Sequence, residues 1–231
     1  ARETIGRVAA GAIAAKLLGE LGITVDAYVE SIGPVSISMD RFNLEEARRN
    51  PTGMPDAEAS AQAEEYLQKC IENQDSAGGV VSCKVHGMPA GIGEPVFDKL
   101  DACLGQAVMS IGAVKAFAVG DGCEVSKKNG STNNDAFCNV NGQISKKTNH
   151  AGGILGGISD GSDIILRAYF KPTPSIYQKQ QTVNQAGEEI EIQIKGRHDP
   201  IVVSRAVVVV EAMTAVTILD ELLRNMTSRL D

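Results

Sequence analysis

NHAGGILGGISDGSDIILRAYFKPTPS, residues 149–175, joins a glycine-rich segment to an apolar strand and then to a turn that contains two prolines. Because glycine has no Cβ, the GGxxGG pattern at 152–157 lets a flat ring or a phosphate approach the main chain closely. The pattern lacks the Gly-Lys-Ser/Thr ending of a P-loop. Residues 164–170 are nearly all apolar, which predicts a strand covered on both faces. The stretch as a whole predicts an anion or cofactor site.

The turn that closes the stretch adds polar groups to a stiff backbone. Lys171 leaves the strand beside Pro172 and Pro174, whose φ angles are fixed, so Thr173 and Ser175 are predicted to present preset hydroxyl donors. A simpler interpretation is a glycine-rich loop and a proline turn that join two elements, since such clusters most often mark loops. The residue types leave both interpretations open.

The length and net charge of the chain limit the class of protein and its possible partners. The chain has 231 residues, enough for one sizeable core or at most two small domains. It carries 22 basic and 29 acidic residues and a net charge of -7, which argues against nucleic acid or an anionic membrane as the main partner. Any anionic ligand must therefore be bound by local cations.

The cysteines and the longest apolar run argue against a disulfide-bonded, metal-binding or membrane-spanning protein. Five cysteines are an odd number without CxxC spacing, which favours reduced thiols in a cytosolic protein and predicts no metal site. No signal peptide is visible. The apolar run 206–223 includes Glu211 and Asp220, which predicts a buried helix and not a membrane span. The cysteines are Cys70, Cys83, Cys103, Cys123 and Cys138.

Hydrophobic periodicity predicts alternating helices and strands. The first helix, 2–21, has an apolar stripe that includes Ile5, Ile13 and Leu17, and its opposite side is mostly alanine and glycine. We therefore expect it to be buried on most of its circumference. The polar segment 120–150 predicts long loops. Further helices are predicted at 55–74, from Pro95 to Val108 and at 203–229, and strands at 23–30, 35–38, 81–86, 114–119, 164–170 and 190–194.

Several predicted strands have one polar face. This pattern favours antiparallel sheets covered by helices on one side over a doubly wound parallel sheet. The predicted fold class is therefore α+β.

Six motifs along the chain resemble the signature stretches of the chorismate synthase family. They extend in one order from Ala1 to about Leu223. The resemblance implies a β-α-β sandwich with antiparallel sheets and outer helices, formed by residues 1–231 as a single domain. It also implies that this domain is the C-terminal portion of the family fold, because the family pattern continues upstream of Ala1. The motifs are ARETIGRVAAGAIAAKLL, GEPVFDKLDACLGQAVMSIGAVKAF, GSTNND, NHAGGILGGISDG, KPTPSI, and GRHDP followed by RAVVVVEAM.

The resemblance implies an activity and its partners. Chorismate synthases convert 5-enolpyruvylshikimate 3-phosphate to chorismate by losing phosphate and a ring proton, and they require reduced FMN although no net redox change occurs. The family also implies a cytoplasmic homotetramer with no nucleic-acid or membrane partner. Whether the flavin is reduced by the protein's own NADP-dependent activity or by an outside supply stays open.

The resemblance also assigns residues. Asp199 is implied as the proton-handling group near flavin N5, and Arg2 as a substrate contact. Asp160 departs from the family, which commonly has asparagine there, and adds negative charge near an anionic cofactor. The implied flavin contacts are Gly112, Ala113, Gly156, Lys171, Pro172, Thr173, Pro174, Ser175 and Arg197; at Gly112 the family more often shows asparagine or a small residue.

Residue chemistry leaves alternatives at each of these positions. Arg197 suits phosphate or a flavin carbonyl, but either it or Arg2 could form a structural ion pair. Asp199 before Pro200 is also typical of a turn. His86, His150 and His198 do not match the family's acid–base histidines. His86 is interpreted as a solvent-facing strand residue, and His150 and His198 are interpreted as structural hydrogen-bonders. A catalytically incomplete flavin-binding fragment or a structural subunit of the same fold remains an alternative function.

Overall fold

The computed structural model describes residues 2–196 and 199–228. Arg197 and His198 lie outside the described residues, so the roles expected for them stay predictions. The helices run over α1 (Thr4–Glu20), α2 (Leu44–Arg49), α3 (Ala57–Glu72), α4 (Leu100–Met109), α5 (Gly130–Asn133) and α6 (Val203–Met226), with 3-10 turns at Met39–Arg41 and Gly122–Lys127.

Short and long strands alternate with these helices. The apolar runs predicted as strands at 114–119 and 164–170 are confirmed to the residue. The strands are β1 (Thr24–Ile32), β2 (Val35–Ser36), β3 (Gly79–His86), β4 (Val114–Val119), β5 (Phe137–Val140), β6 (Gln143–Lys146), β7 (Ile154–Leu155), β8 (Ile158–Ser159), β9 (Ile164–Phe170), β10 (Gln180–Val183) and β11 (Glu189–Ile192).

One five-stranded sheet has the order β2-β1-β3-β9-β4, and three two-stranded hairpins accompany it. Strands β3 and β9 run in opposite directions, because Gly78 lies beside Phe170 at one end and His86 pairs with Asp163 at the other. Strands β1 and β2, and the strands of all three hairpins, are antiparallel. The predicted α+β class with antiparallel sheets is confirmed.

The chain divides into two compact units. The first comprises residues 1–27, 82–168 and 207–231, and the second comprises 28–81 and 169–206. The boundaries fall inside β1, β3, β9 and α6. The expectation of a single domain over 1–231 stays a prediction.

Each unit has its own set of fully buried apolar side chains. Burial of apolar surface is the main favourable term in folding, so these residues fix where the core of each unit lies. In the first unit they include Leu18, Val85, Leu100, Leu104, Ile164 and Ile218, and in the second Val29, Ile32, Met54, Ala63, Val81 and Val203.

Helix α1 contradicts one sequence prediction. Of its residues only Gly11, Ala14 and Leu18 are buried, whereas Ile5 and Ile13 are 73% and 66% exposed. Gly11 faces α6 so closely that an added Cβ would lie 2.3 Å from the Cβ of Ala212. The two helices therefore approach closely at Gly11 and Ala212, while Ile5 and Ile13 remain exposed.

The start of one helix and the structure of one segment differ from the sequence prediction. Helix α4 begins at Leu100 and not near Pro95, and Val96 is 69% exposed. The segment predicted as loops, 120–150, contains the β5–β6 hairpin, whose turn Asn141-Gly142 has positive φ at both residues. Among the described residues, no helix is long and apolar enough to cross a membrane.

Candidate functional site

The Lys171–Ser175 turn follows directly from β9 in the second unit. Its two prolines have no N–H, so the turn has few main-chain donors with which to stabilise itself. The hydroxyl of Ser76, on the connection between α3 and β3, donates to the carbonyl oxygen of Thr173 at 2.7 Å. The turn is therefore held from outside, and Lys171 at its start is exposed.

The side chain of Thr173 is unusual in the part of the chain that the structure describes. Its Oγ1 is buried and has no hydrogen-bond partner there. A buried hydroxyl without a partner costs roughly 1–3 kcal/mol, which a ligand atom that meets it would recover. This orphaned hydroxyl lies in the turn that sequence analysis assigned to the cofactor.

The structure brings Ser175 and Asp199 to one cleft of about 120 Å³, which Ser76 and Tyr177 also line. Sites for drug-sized ligands usually enclose about 300–1,000 Å³. This cleft by itself would therefore hold only part of a cofactor. The hydroxyl of Tyr177 donates to the carbonyl of Gly196, which anchors the chain shortly before Asp199.

The carboxylate of Asp199 accepts a hydrogen bond at 2.6 Å from Nη1 of Arg205. Arg205 follows at the start of α6, and both side chains are partly exposed. The sequence interpretation of Asp199 did not include this partner. The contact with Arg205 therefore holds the Asp199 carboxylate towards the start of α6.

Gly156 lies with Gly157 in the two-residue turn between β7 and β8 in the first unit. Both have positive φ, +63° and +89°, as tight hairpin turns of the primed types require. A Cβ on Gly157 would collide with Lys99, but a Cβ on Gly156 would meet nothing within 4 Å. The main chain at Gly156 is therefore open to close approach, and its contact with a cofactor stays a prediction.

Polar side chains hold the rest of the glycine-rich stretch. Asp135 accepts from the hydroxyl of Thr148 at 2.6 Å and from the N–H groups of His150 and Ala151 at 2.7 and 2.9 Å. Partial burial opposes ionisation of Asp135, but these hydrogen bonds outweigh it and lower its pKa. The polar segment before the glycines thus acts as a scaffold for them.

Asn149 connects the two ends of the glycine-rich stretch. Its Oδ1 accepts from the N–H of Gly153 at 2.8 Å, while its Nδ2 donates to the carbonyl of Asp163 at 2.7 Å. Because one side chain makes both contacts, it holds Gly153 next to Asp163 on either side of the β7–β8 hairpin.

Asp160 forms an ion pair with Lys146, and only 9% and 4% of the two side chains are exposed. Burial opposes ionisation of Asp160, but the hydrogen bonds from Lys146 and Ser162 lower its pKa. The pair lines an open cleft of about 470 Å³. The negative charge that the sequence adds at position 160 is therefore neutralised by a neighbouring ammonium.

Gly112 and Ala113 form the turn between α4 and β4, in the first unit. Ala113 has φ +72°, a left-handed conformation that is rare for a residue with a Cβ. Arg2, also in this unit, is exposed in the turn before α1. These residues, Gly156 and the second-unit turn occupy different elements, and their convergence on one flavin stays a prediction.

The described histidines make structural contacts. Nδ1 of His150 lies 2.6 Å from Oδ2 of Asp121, which also pairs with Lys128. Hydrogen bonds from Lys128 and then His150 lower the pKa of Asp121. His86 pairs with Asp163 at 3.0 Å on the sheet. His86 lies at the end of β3 with its side chain 42% exposed, and His150 makes a side-chain hydrogen bond; that neither residue acts in catalysis stays a prediction.

Comparison with known proteins identifies the relatives of this chain. A family model described as chorismate synthase matches residues 1–223. The chorismate synthase of Lachnoclostridium phytofermentans is 62% identical over 231 residues, and that of Agathobacter rectalis is 58% identical over 230. Each match covers 100% of this chain and 63% of the relative, so the chain spans less than two thirds of their length.

A solved structure shares the fold. A crystal structure of chorismate synthase superposes with a TM-score of 0.81 at 29% sequence identity. The superposition covers 97% of this chain and 64% of the other. Sequence and fold therefore point to the same relatives.

Proposed function

Because the chain belongs to the chorismate synthase family, we propose that its protein catalyses the anti-1,4-elimination that turns 5-enolpyruvylshikimate 3-phosphate into chorismate. In this reaction a ring C–H bond and the C–O bond to phosphate break, a second ring double bond forms, and a proton and inorganic phosphate leave. The observation that carries the proposal is the orphaned hydroxyl of Thr173, in the turn where the resemblance expects a cofactor.

We further propose that the cofactor is reduced FMN. The residues present fit such a group: Thr173 offers a buried hydroxyl in need of a partner, and Gly156 offers open main chain against which a flat ring could lie. Lys171 and Arg197 would add cations for its anionic parts. Reduced FMN would supply the electron-rich ring beside which the elimination takes place without net redox change. The proposed contacts also include Gly112, Ala113, Pro172, Pro174 and Ser175.

The chain's own residues would perform the remaining tasks. Arg2 would bind the substrate, since a guanidinium suits carboxylate and phosphate groups. Preset cations lower the barrier where charge grows on the departing phosphate. Asp199 would accept the ring proton, and Arg205, whose Nη1 lies 2.6 Å from the Asp199 carboxylate, would hold that carboxylate in position.

The test uses the complete protein under anaerobic conditions with reduced FMN and 5-enolpyruvylshikimate 3-phosphate. Release of phosphate together with formation of chorismate is expected, and matched reactions with oxidised FMN or without protein should show neither. Absence of phosphate release would overturn the proposal. The reading as an inactive fragment or structural subunit is not favoured, because the family match runs through residues 1–223.

We also propose, from the family resemblance, that the protein is a cytoplasmic homotetramer. Light scattering coupled to gel filtration of the complete protein tests the assembly. Anaerobic addition of NADPH to the protein with oxidised FMN would decide how the flavin is reduced: bleaching of the flavin absorbance indicates an intrinsic reductase, and unchanged absorbance indicates an outside supply.

A further inference from the structure

The segment Asn73–Ala77, which connects α3 to β3, contacts both chain segments of the second unit that carry proposed site residues. The hydroxyl of Ser76 donates to the Thr173 carbonyl at 2.7 Å, and the N–H of Ala77 donates to the Pro200 carbonyl at 2.8 Å. The amide of Gln178 donates to the Asn73 carbonyl at 2.8 Å. Five consecutive residues therefore connect the proline turn to the segment that bears Asp199.

The geometry of the segment is itself fixed. Gln74 has φ +57°, and the N–H of Asp75 donates to the carbonyl of Cys70 at 2.8 Å. The carboxylate of Asp75 accepts from the N–H of Ser76 at 2.8 Å. Ser76 is half-buried, so its hydroxyl approaches Thr173 from a defined position.

The proline turn depends on such an outside donor. Neither Pro172 nor Pro174 has an N–H, so the turn cannot close a ladder of main-chain hydrogen bonds around Thr173. If the carbonyl of Thr173 loses its donor, the peptide plane can rotate, and the neighbouring Thr173 hydroxyl then leaves its fixed position. Holding binding groups in place before the ligand arrives reduces the cost of ordering them on binding.

We propose that Ser76 is a positioning residue for the cofactor site, one that fixes the Lys171–Ser175 turn relative to Asp199. The inference rests on the proposed function, since it takes this turn to contact flavin. It adds a residue that lies outside every motif of the family resemblance and that donates a hydrogen bond to a main-chain oxygen of the turn. Ser175 and Asp199 share one cleft with Ser76, which is the arrangement that the contact maintains.

The test compares Ser76→Ala and Ser76→Thr in the complete protein. We expect Ser76→Ala to weaken FMN binding roughly two- to tenfold, the fold-change corresponding to one hydrogen bond of ordinary net strength. Ser76→Thr keeps the hydroxyl and should restore most of the affinity. Ser126→Ala is the matched control, because it removes a serine hydroxyl that donates to the carbonyl of Cys123 at 2.8 Å on the surface of the other unit.

A second readout separates positioning from general stability. Without FMN, amide hydrogen exchange at residues 173–178 should be faster in Ser76→Ala than in the parent, while exchange in α1 is unchanged. If Ser76→Ala does not fold, Gln178→Ala removes an exposed contact between the same segments and should also weaken FMN binding. Parent-like FMN affinity in a folded Ser76→Ala variant would overturn the inference alone. A parent that binds no FMN would overturn the proposed cofactor and this inference with it.

Discussion

The ammonium of Lys146 lies against the carboxylate of Asp160, and both side chains are more than nine-tenths buried. Removing one partner leaves the other charge without compensation. For fully buried pairs this costs about 3–5 kcal/mol, and we expect about 2–3 kcal/mol here because the pair lines an open cleft. Lys146→Met should lower the free energy of unfolding by that amount, measured by urea denaturation.

A double-mutant cycle provides the control for this ion pair. Asp160→Asn alone should also destabilise, because Lys146 then remains buried without its counter-charge. The double variant Lys146→Met/Asp160→Asn should recover part of the loss, which yields a favourable coupling free energy. Strictly additive losses would show that the two charges do not interact.

Thr173→Val tests the orphaned hydroxyl. Valine has the same shape without the hydroxyl, so in the absence of FMN the variant should be as stable as the parent or more stable by about 1 kcal/mol. FMN binding should weaken roughly two- to tenfold, because the ligand loses a hydrogen bond. Thermal unfolding without FMN and flavin titration measure the two effects, and Thr173→Ser should bind FMN like the parent. A loss of stability with unchanged FMN affinity would contradict a role in binding.

Gly11→Ala tests the contact between α1 and α6. A Cβ there would lie 2.3 Å from the Cβ and 2.4 Å from the Cα of Ala212, so the helices must separate, at a cost of about 1–3 kcal/mol. Gly19→Ala, in the same helix, meets nothing within 4 Å and should stabilise by roughly 0.5–1 kcal/mol. Thermal unfolding of the two variants should therefore move in opposite directions; equal shifts would show that the helices do not meet closely at Gly11.

The ionisation of Asp56 should make the stability of the protein depend on pH in the acid range. Burial opposes its ionisation, but hydrogen bonds from Arg41 and from the N–H groups of Ser38 and Ala59 lower its pKa to about 2. Because the folded pKa is below the unfolded value near 3.8, its stabilisation is complete above that value and is lost as pH falls towards 2.

Asp56→Ala removes this stabilisation together with the N-cap of α3. We expect a loss of about 2 kcal/mol at pH 7, which shrinks between pH 4 and pH 2 in urea denaturation. Asp101→Asn, whose carboxylate contacts only the adjacent N–H of Ala102 among the contacts seen in the described residues, serves as the control. A loss that is the same at pH 7 and pH 2 would contradict the role of the Asp56 charge.

Local sequence signals were enough for some elements. Strands β4 and β9 are apolar runs bounded by glycine or turn residues, and α3 begins at a capping aspartate, so their ends are encoded nearby. The β5–β6 hairpin was missed because its strands, FCNV and QISK, are only four residues long and lie in a segment rich in lysine and asparagine. Asn141-Gly142, the strongest short-range hairpin signal, could have revealed it.

Other features depend on tertiary partners that no local pattern contains. The stripe of α1 was predicted correctly as apolar, but which side is buried depends on Ala212, two hundred residues later in the chain. The same holds for Ser76, whose hydrogen bond to the proline turn spans 97 positions of the chain. The motifs located Thr173 and Gly156, whereas the orphaned hydroxyl and the open main chain became visible only in three dimensions.

The exposed side chains of Ile5, Ile13 and Leu17 on α1 should also affect how this polypeptide adsorbs to apolar surfaces during purification. Water around such a surface is released when two surfaces adhere, and ammonium sulfate strengthens that tendency. The 231-residue chain by itself should therefore bind phenyl-substituted chromatography resins at moderate salt. Replacing Ile5 and Ile13 with glutamine should make it elute earlier.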